Sequence, residues 1–251
     1  AVFSAQTILA GGPAPAVATF TQAWRERVLP HAGAVLTGFS ERAALDNLAR
    51  GLEPPASGND NPQHYDDSAA GRAVPIGLYC AGQPDRAAGL AQLDAQVTNA
   101  EDGVYAARAI AAALAELAGG HSLEAALERG RAEFPAGSWI AHGDAAAQAC
   151  LRETEGVPDL VLALTTRLIN TVYSYGNAAP ETLPAAFALA ARCGGDLNAA
   201  LGGALCGAWQ GDGVISPAWR DQLETCRGLC LPFTAGVRLS QLAQTLAEAR
   251  P

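Results

Sequence analysis

The sequence predicts an all-α fold in which many helices pack into a single compact domain. Ala and Leu are abundant, β-branched runs are short, and Gly or Pro interrupts the chain at regular intervals. No segment alternates polar and apolar residues for long enough to indicate a sheet. Hydrophobic residues make up 49% of the 251 residues, enough to bury a core, so disorder is excluded as the main state. We therefore expect residues 1–251 to form one domain.

Helical segments are expected along the whole chain. The clearest one covers residues 100–118, because Thr98 and Glu101 have the spacing of a capping box and Gly119-Gly120 supplies a stop. Ser122 is expected to cap the next helix. The other predicted helices cover residues 2–10, 14–28, 41–50, 84–94, 142–153, 159–174, 181–192, 197–209, 217–229 and 239–249.

Charge and hydropathy argue against several classes of function. The chain has 16 basic and 25 acidic residues, and its net charge of −9 disfavours binding to a nucleic-acid backbone. No stretch approaches the ~18–20 uninterrupted apolar residues of a membrane helix, and no secretion signal is visible. The six cysteines form no Cys-x-x-Cys motif and the four histidines complete no zinc pattern. We expect free thiols, no membrane partner and a cytoplasmic location.

One loop has the composition of a functional segment. Residues 51–68 read GLEPPASGNDNPQHYDDS, which predicts irregular structure, with disorder as the competing explanation. The adjacent carboxylates of Asp66 and Asp67 repel each other unless a cation, a donor or water relieves them. The small residues that follow let backbone amides approach a ligand oxygen closely. The alternative is a solvated acidic loop that caps a helix.

Two further segments carry polar groups at predicted helix starts. Asp196 and Asn198 lie two residues apart after Gly194-Gly195, so their oxygens can share a hard cation in one pocket. Alternatively, Asp196 is an ordinary N-cap. At the start of the central helix, capping accounts for Thr98 and leaves the amide of Asn99 free to donate to a ligand.

Together these segments resemble the ADP-ribosylglycohydrolase family. Residues 194–199 read Gly-Gly-Asp-Leu-Asn-Ala where the family has Gly-Gly-Asp-x-Asp-Thr, and 215–219 are similar to its Ile-Pro-x-x-Trp. Residues 67–78 are similar to Gly-x-Gly-Ala-Ala-Met-Arg-x-x-Pro-x-Gly-Leu. Residues 97–100 stand where many members have Ile-Thr-His. The likeness spans residues 1–223.

The resemblance implies an almost entirely helical hydrolase of the N- or O-glycosidic bond at the anomeric carbon of ADP-ribose or a related nucleoside. Its ligand is then ADP-ribose-like or an ADP-ribosylated substrate. Members hold a pair of Mg²⁺ ions, in some cases Mn²⁺, which bind ribose hydroxyls and an attacking water. Asp66 and Asp67 are the candidates for general base or for steering an oxocarbenium-like centre. The candidate ligand-binding residues are Ser68, Ala69, Ala70, Arg72 and Asn99, and the candidate metal ligands are Asp196 and Asn198.

Several residues depart from the family pattern. Asn198 replaces a carboxylate, Ala199 replaces a Thr ligand, and Asn99 replaces a ligand-binding His. The family's Thr-Asp-Asp-Thr should lie just before Ala1, so we expect an amino-terminal segment to be missing from this chain. Because hard cations depend on negative charge, Mg²⁺ is expected to bind weakly or not at all. A catalytically inactive ADP-ribose- or nucleotide-binding pseudoenzyme is the alternative, and a purely structural helical protein is a third reading.

Overall fold

The computed structural model describes residues 1–12, 14–169, 176–193, 200–211 and 215–251. Within these ranges the chain forms fourteen α-helices and no β-strand, which confirms the all-α prediction. None of these helices is both long and apolar enough to cross a membrane. The helices are α1 (Val2–Gly11), α2 (Val17–Ala23), α3 (Phe39–Ala49), α4 (Ala56–Asn59), α5 (Ser68–Tyr79), α6 (Pro84–Ala95), α7 (Asp102–Ala118), α8 (Leu123–Arg131), α9 (Trp139–Glu153), α10 (Val157–Arg167), α11 (Ala179–Cys193), α12 (Ala200–Gln210), α13 (Pro217–Leu223) and α14 (Leu239–Glu248).

Helix α7 is the centre of this one compact domain. It packs against α5, α6, α8, α11 and α12, and its Ile110 and Leu114 are fully buried. Its many alanines let neighbours come close: a Cβ added to Gly77 of α5 would lie 2.7 Å from the Ala111 carbonyl oxygen. The backbones of α5 and α7 are therefore in direct contact near the end of α5.

Helix α5 was not predicted from the sequence. It contains Pro75, Gly71 and Gly77, residues that disfavour a helix interior. Burial of its apolar face outweighs this local cost, since Ala73 and Ile76 are fully inaccessible to solvent. The loop preceding it is also less irregular than expected, because it contains the short helix α4.

The start of α7 differs from the predicted capping box. The helix begins at Asp102 after Glu101, whose φ is +46°, in the left-handed region. Thr98 lies outside the helix, is fully buried, and bonds Arg72 and Asn99 instead of capping. The predicted stop is confirmed: α7 ends at Ala118.

The cap of α8 gives a test of local stability. As predicted, the Ser122 hydroxyl accepts a hydrogen bond from the Ala125 amide at 3.2 Å. We expect Ser122→Ala to lower the free energy of unfolding by about 1 kcal/mol in urea titrations, because one first-turn amide loses its partner. Ser122→Asp retains an acceptor and should stay near the wild type. Equal stability of the Ala and Asp variants would show that the cap contributes nothing.

Candidate active site

The predicted carboxylate pair lies at the amino-terminal end of α5, where α11 also begins. Asp67 is the N-cap residue of α5, and its amide donates to the Asn177 carbonyl at 2.8 Å. The Ala179 amide donates to the Tyr65 carbonyl at 2.9 Å. These two backbone bonds hold the end of the 51–68 loop against the start of α11, so the pair is anchored from both sides.

Asp66 is a buried carboxylate, only 1% exposed. Its Oδ1 accepts hydrogen bonds from the Asn99 Nδ2 at 2.9 Å and from the Ser68 amide at 3.1 Å. The Ser40 amide lies 3.4 Å from its Oδ2. A buried charge is costly unless hydrogen-bonded, and these donors offset that cost. Asp66 is thus held in one orientation.

Asp67 lies in a different environment from its neighbour. Burial raises the pKa of Asp67 from 3.8 to about 6, and repulsion from Asp66 and Glu41 adds to the shift. A carboxyl group with a pKa near 6 exchanges its proton readily close to neutral pH. Two adjacent carboxyl groups in different environments can take different acid–base roles in a reaction.

Asn99, which the sequence predicts to bind the ligand, lies beside Asp66. Its Nδ2 also donates to the His64 carbonyl at 3.0 Å, and its Oδ1 accepts from the Thr98 hydroxyl at 2.6 Å. The amide is therefore engaged within the protein, unlike the free donor we expected. Asn99 supports the wall of the site through Asp66.

Arg72 is buried behind this wall, 7% exposed. Its Nε donates to Asp94 Oδ2 at 3.0 Å, its Nη2 to the Thr98 hydroxyl at 2.6 Å, and its Nη1 to Glu41 Oε1 at 3.4 Å. The guanidinium contacts helices α3, α6 and the segment before α7. It joins the elements that surround the carboxylate pair.

The first turn of α5 presents the backbone amides of Ser68, Ala69 and Ala70. First-turn amides have no partner within their own helix, and the helix dipole adds positive potential, so such an end favours an anion. The Ser68 amide already donates to Asp66. Ala69 and Ala70 are inaccessible to solvent as whole residues, backbone amides included, so neither offers a surface to a ligand in this structure.

Two polar residues of the site were missed by sequence reasoning. Glu41 Oε2 and Asn177 Oδ1 are buried and have no hydrogen-bond partner among the described residues. A Cβ on Gly38 would lie 2.7 Å from Glu41 Oε2 and 3.7 Å from Asp66 Oδ2, so these oxygens border the same space. Buried polar atoms of this kind are normally met by water, an ion or a ligand. Nothing in the local sequence connected these residues to Asp66.

Two cavities flank the left-handed turn at Glu101. One has a volume of about 650 Å³ and lies among Asn59, Gln96 and Asn99, and the other measures about 400 Å³ beside Trp139 and His142. The rings of Tyr65 and Trp139 meet edge to face with centroids 6.0 Å apart. Volumes of several hundred Å³ are typical of small-molecule sites, but neither of these two cavities is lined by Asp66 or Asp67.

The residues predicted to hold a metal, Asp196 and Asn198, lie outside the described residues. Within the described ranges, no three His, Cys, Asp or Glu side chains form a group able to hold an ion. Both Asp66 oxygens face N–H donors, which is a poor fit to a cation.

The fold and site define an all-helical protein with an asymmetric carboxylate pair, Asp66 buried and Asp67 half-buried, at the start of a core helix. The chain belongs to the ADP-ribosylglycohydrolase family, whose profile matches residues 1–251, the whole chain. No curated protein and no solved structure gives a match. Membership supports an ADP-ribosylglycohydrolase-like hydrolase, from a family that typically depends on divalent metal ions.

Proposed function

We propose that this protein hydrolyses an N- or O-glycosidic bond at the anomeric carbon of ADP-ribose or a related nucleoside, in an ADP-ribose-like ligand or an ADP-ribosylated substrate. One observation carries the proposal: Asp66 is fixed by N–H donors while the pKa of the adjacent Asp67 is raised to about 6. This pair occurs in a chain of a glycohydrolase family.

The proposed reaction divides the work between the two carboxylates. Asp67 accepts a proton from a water molecule whose oxygen then bonds the anomeric carbon. The glycosidic bond breaks with its electron pair on the leaving group, which takes up a proton from solvent, and Asp67 then releases its own proton to solvent. The negative charge of Asp66 stabilises the oxocarbenium-like carbon as the bond lengthens. A positioned general base contributes roughly 10²–10⁴-fold to the rate.

In this proposal some of the candidate ligand-binding residues contact the ligand and the others support the site. An anionic group of the ligand binds at the start of α5, over the first-turn residues Ser68, Ala69 and Ala70, through the positive potential of the helix end, since the Ser68 amide is engaged by Asp66 and the two alanines are fully buried. Ser68 lies beside Asp66 and donates its amide to that carboxylate. Asn99 and Arg72 shape the site from behind through their hydrogen bonds.

A divalent ion has a minor role in this proposal. Asp196 and Asn198 are the residues we propose as ligands for Mg²⁺ or Mn²⁺, and the neutral Asn198 makes binding weak or absent. When bound, the ion would polarise ribose hydroxyls and water. We also propose that residues 1–251 are one domain, that the protein acts in the cytoplasm, and that it has no nucleic-acid partner.

Turnover assays with and without metal test this function. We expect ADP-ribose or nucleobase release from ADP-ribosylated proteins or nucleosides, measured by liquid chromatography, with only a slight loss in a chelator. Asp66→Asn should reduce release at least about 10²-fold, because the positive charge at carbon loses its counter-charge. Asp85→Asn is the control, since Asp85 is an exposed carboxylate paired with Arg129. Full activity in Asp66→Asn would remove that residue from the mechanism.

Thermal shifts with ADP-ribose, measured with and without Mg²⁺, separate the alternative of a binding module without turnover. The neutral residues at three family positions, Asn99, Asn198 and Ala199, favour that alternative. It predicts a thermal shift with ADP-ribose that is indifferent to Mg²⁺, with no product. A structural protein predicts no shift. A shift that requires Mg²⁺ would contradict the weak metal site proposed above.

A further inference from the structure

We propose that Arg72 is a positioning residue that acts through the Thr98 hydroxyl to set the orientation of the Asn99 amide beside Asp66. The geometric part of this inference stands on hydrogen bonds alone. Its consequence for turnover rests on the function proposed above.

The guanidinium of Arg72 has one available orientation. Its Nε donates to Asp94, which is 1% exposed, and its Nη1 is 3.4 Å from Glu41 Oε1. Its carbon lies over the Trp24 ring, 5.2 Å from the centroid. The planar guanidinium is thus held on three sides, and its Nη2 points at the Thr98 hydroxyl, 2.6 Å away.

The Thr98 hydroxyl connects the oriented guanidinium of Arg72 to the side chain of Asn99. A guanidinium can only donate, so Thr98 Oγ1 must accept from Arg72 and keep its single proton for another partner. The Asn99 Oδ1 lies 2.6 Å away and receives it. Arg72 therefore sets the donor-to-acceptor direction of both hydrogen bonds, from Arg72 to Thr98 and from Thr98 to Asn99.

An asparagine amide accepts on one side and donates on the other. With Oδ1 held by Thr98 at 2.6 Å and by the more distant Ser68 hydroxyl at 3.3 Å, the Nδ2 is turned toward three acceptors: Asp66 Oδ1 at 2.9 Å, the Asp66 carbonyl at 3.2 Å and the His64 carbonyl at 3.0 Å. A flipped amide would set its own oxygen against all three. Its shortest bond is to Asp66, whose two other donors are backbone amides. The orientation of the Asp66 carboxylate therefore depends on a side chain that Arg72 controls.

The test compares Thr98→Val, which removes only the hydroxyl, with Thr98→Ser, which retains it. The readout is the exchange of the Asn99 side-chain NH₂ protons with solvent, followed by ¹⁵N–¹H nuclear magnetic resonance. We expect about tenfold faster exchange in Thr98→Val and near-wild-type exchange in Thr98→Ser. We also expect kcat to fall in Thr98→Val with little change in KM, and Thr98→Ser to restore it.

Unchanged Asn99 exchange in Thr98→Val would overturn the proposal. Faster exchange in a protein whose wild type turns over no substrate would support the positioning chain and reject the proposed function, so the two failures are distinct. If Thr98→Val does not fold, Arg72→Lys is measured instead. Lysine retains the charge but lacks the fork that spans Asp94 and Thr98, so faster exchange is again expected, and unchanged exchange again overturns the proposal.

Discussion

Asp67→Asn is expected to stabilise the folded protein at neutral pH while removing most of its activity. The pKa of Asp67 is raised from 3.8 to about 6, mainly by burial. Above pH 6 the folded protein therefore carries a poorly solvated charge that the unfolded chain solvates well. A neutral amide of the same shape has no such cost, so the variant gains about 2 kcal/mol at pH 7.5 after allowance for partial solvent screening.

The sign of the pH dependence follows from the direction of this pKa shift. The stabilising effect of protonated Asp67 is fully present below pH 3.8 and is lost as the pH rises through about 6. The gain of Asp67→Asn over the wild type should thus be absent near pH 3.5 and complete above pH 6.5. Urea titrations across this range measure it, with Asp85→Asn as the exposed control. A variant less stable than the wild type at pH 7.5 would refute the assigned environment.

Activity should change in the opposite direction. If Asp67 is the base, the wild-type kcat/KM rises with pH up to about 6 and then levels, because the carboxylate form is required. Asp67→Asn should lose roughly 10²–10⁴-fold and show no such rise. A residue that costs stability and contributes to turnover is typical of an active site.

Gly103→Ala is expected to destabilise the protein by about 3 kcal/mol and to displace Asp66. A Cβ on Gly103 would lie 2.4 Å from the His64 carbonyl oxygen, 2.8 Å from Asn99 Nδ2 and 3.0 Å from the Asp66 carbonyl oxygen. Two of these atoms belong to the backbone, which cannot move without shifting the residues 64–66. Overpacking at this point therefore deforms the site as well as the core.

Gly89→Ala is the matched control, since Gly89 also lies within a helix, α6, but has no atom within 4 Å of its added Cβ. It should gain about 0.5–1 kcal/mol through better helix propensity. Thermal and urea unfolding of both variants give the comparison, and turnover reports the displacement of Asp66. Wild-type stability and activity in Gly103→Ala would mean that the close approach of α7 to the loop does not exist.

The sequence alone predicted the helix ends that depend on neighbouring residues. The Ser122 cap and the stop after Ala118 depend on residues within one turn, so pattern reasoning placed α8 and the end of α7. Helix α5 was not predicted because Pro75 and the glycines of this segment disfavour a helix. Only burial against α7 outweighs their local free-energy cost. Thr98 was misassigned as a cap for a similar reason, since its partner Arg72 is 26 residues away.

The sequence singled out only the central residues of the candidate site. The repulsion between Asp66 and Asp67 is visible in the sequence, and it singled out the pair. Asp66 is fixed by Ser40 and Asn99, and the pKa of Asp67 is raised mainly by burial, with a further contribution from Glu41; all three residues are distant along the chain. Long-range packing brings these groups together, so no local pattern contains them.

A crystal structure of the full chain with ADP-ribose most directly tests whether the Asp66–Asp67 pair is an active site. We expect the ribose at the amino-terminal end of α5, with its anomeric carbon facing Asp67 and a water molecule hydrogen-bonded between them. Ligand density elsewhere on the molecule, with these carboxylates facing only protein atoms, would contradict the proposed chemistry.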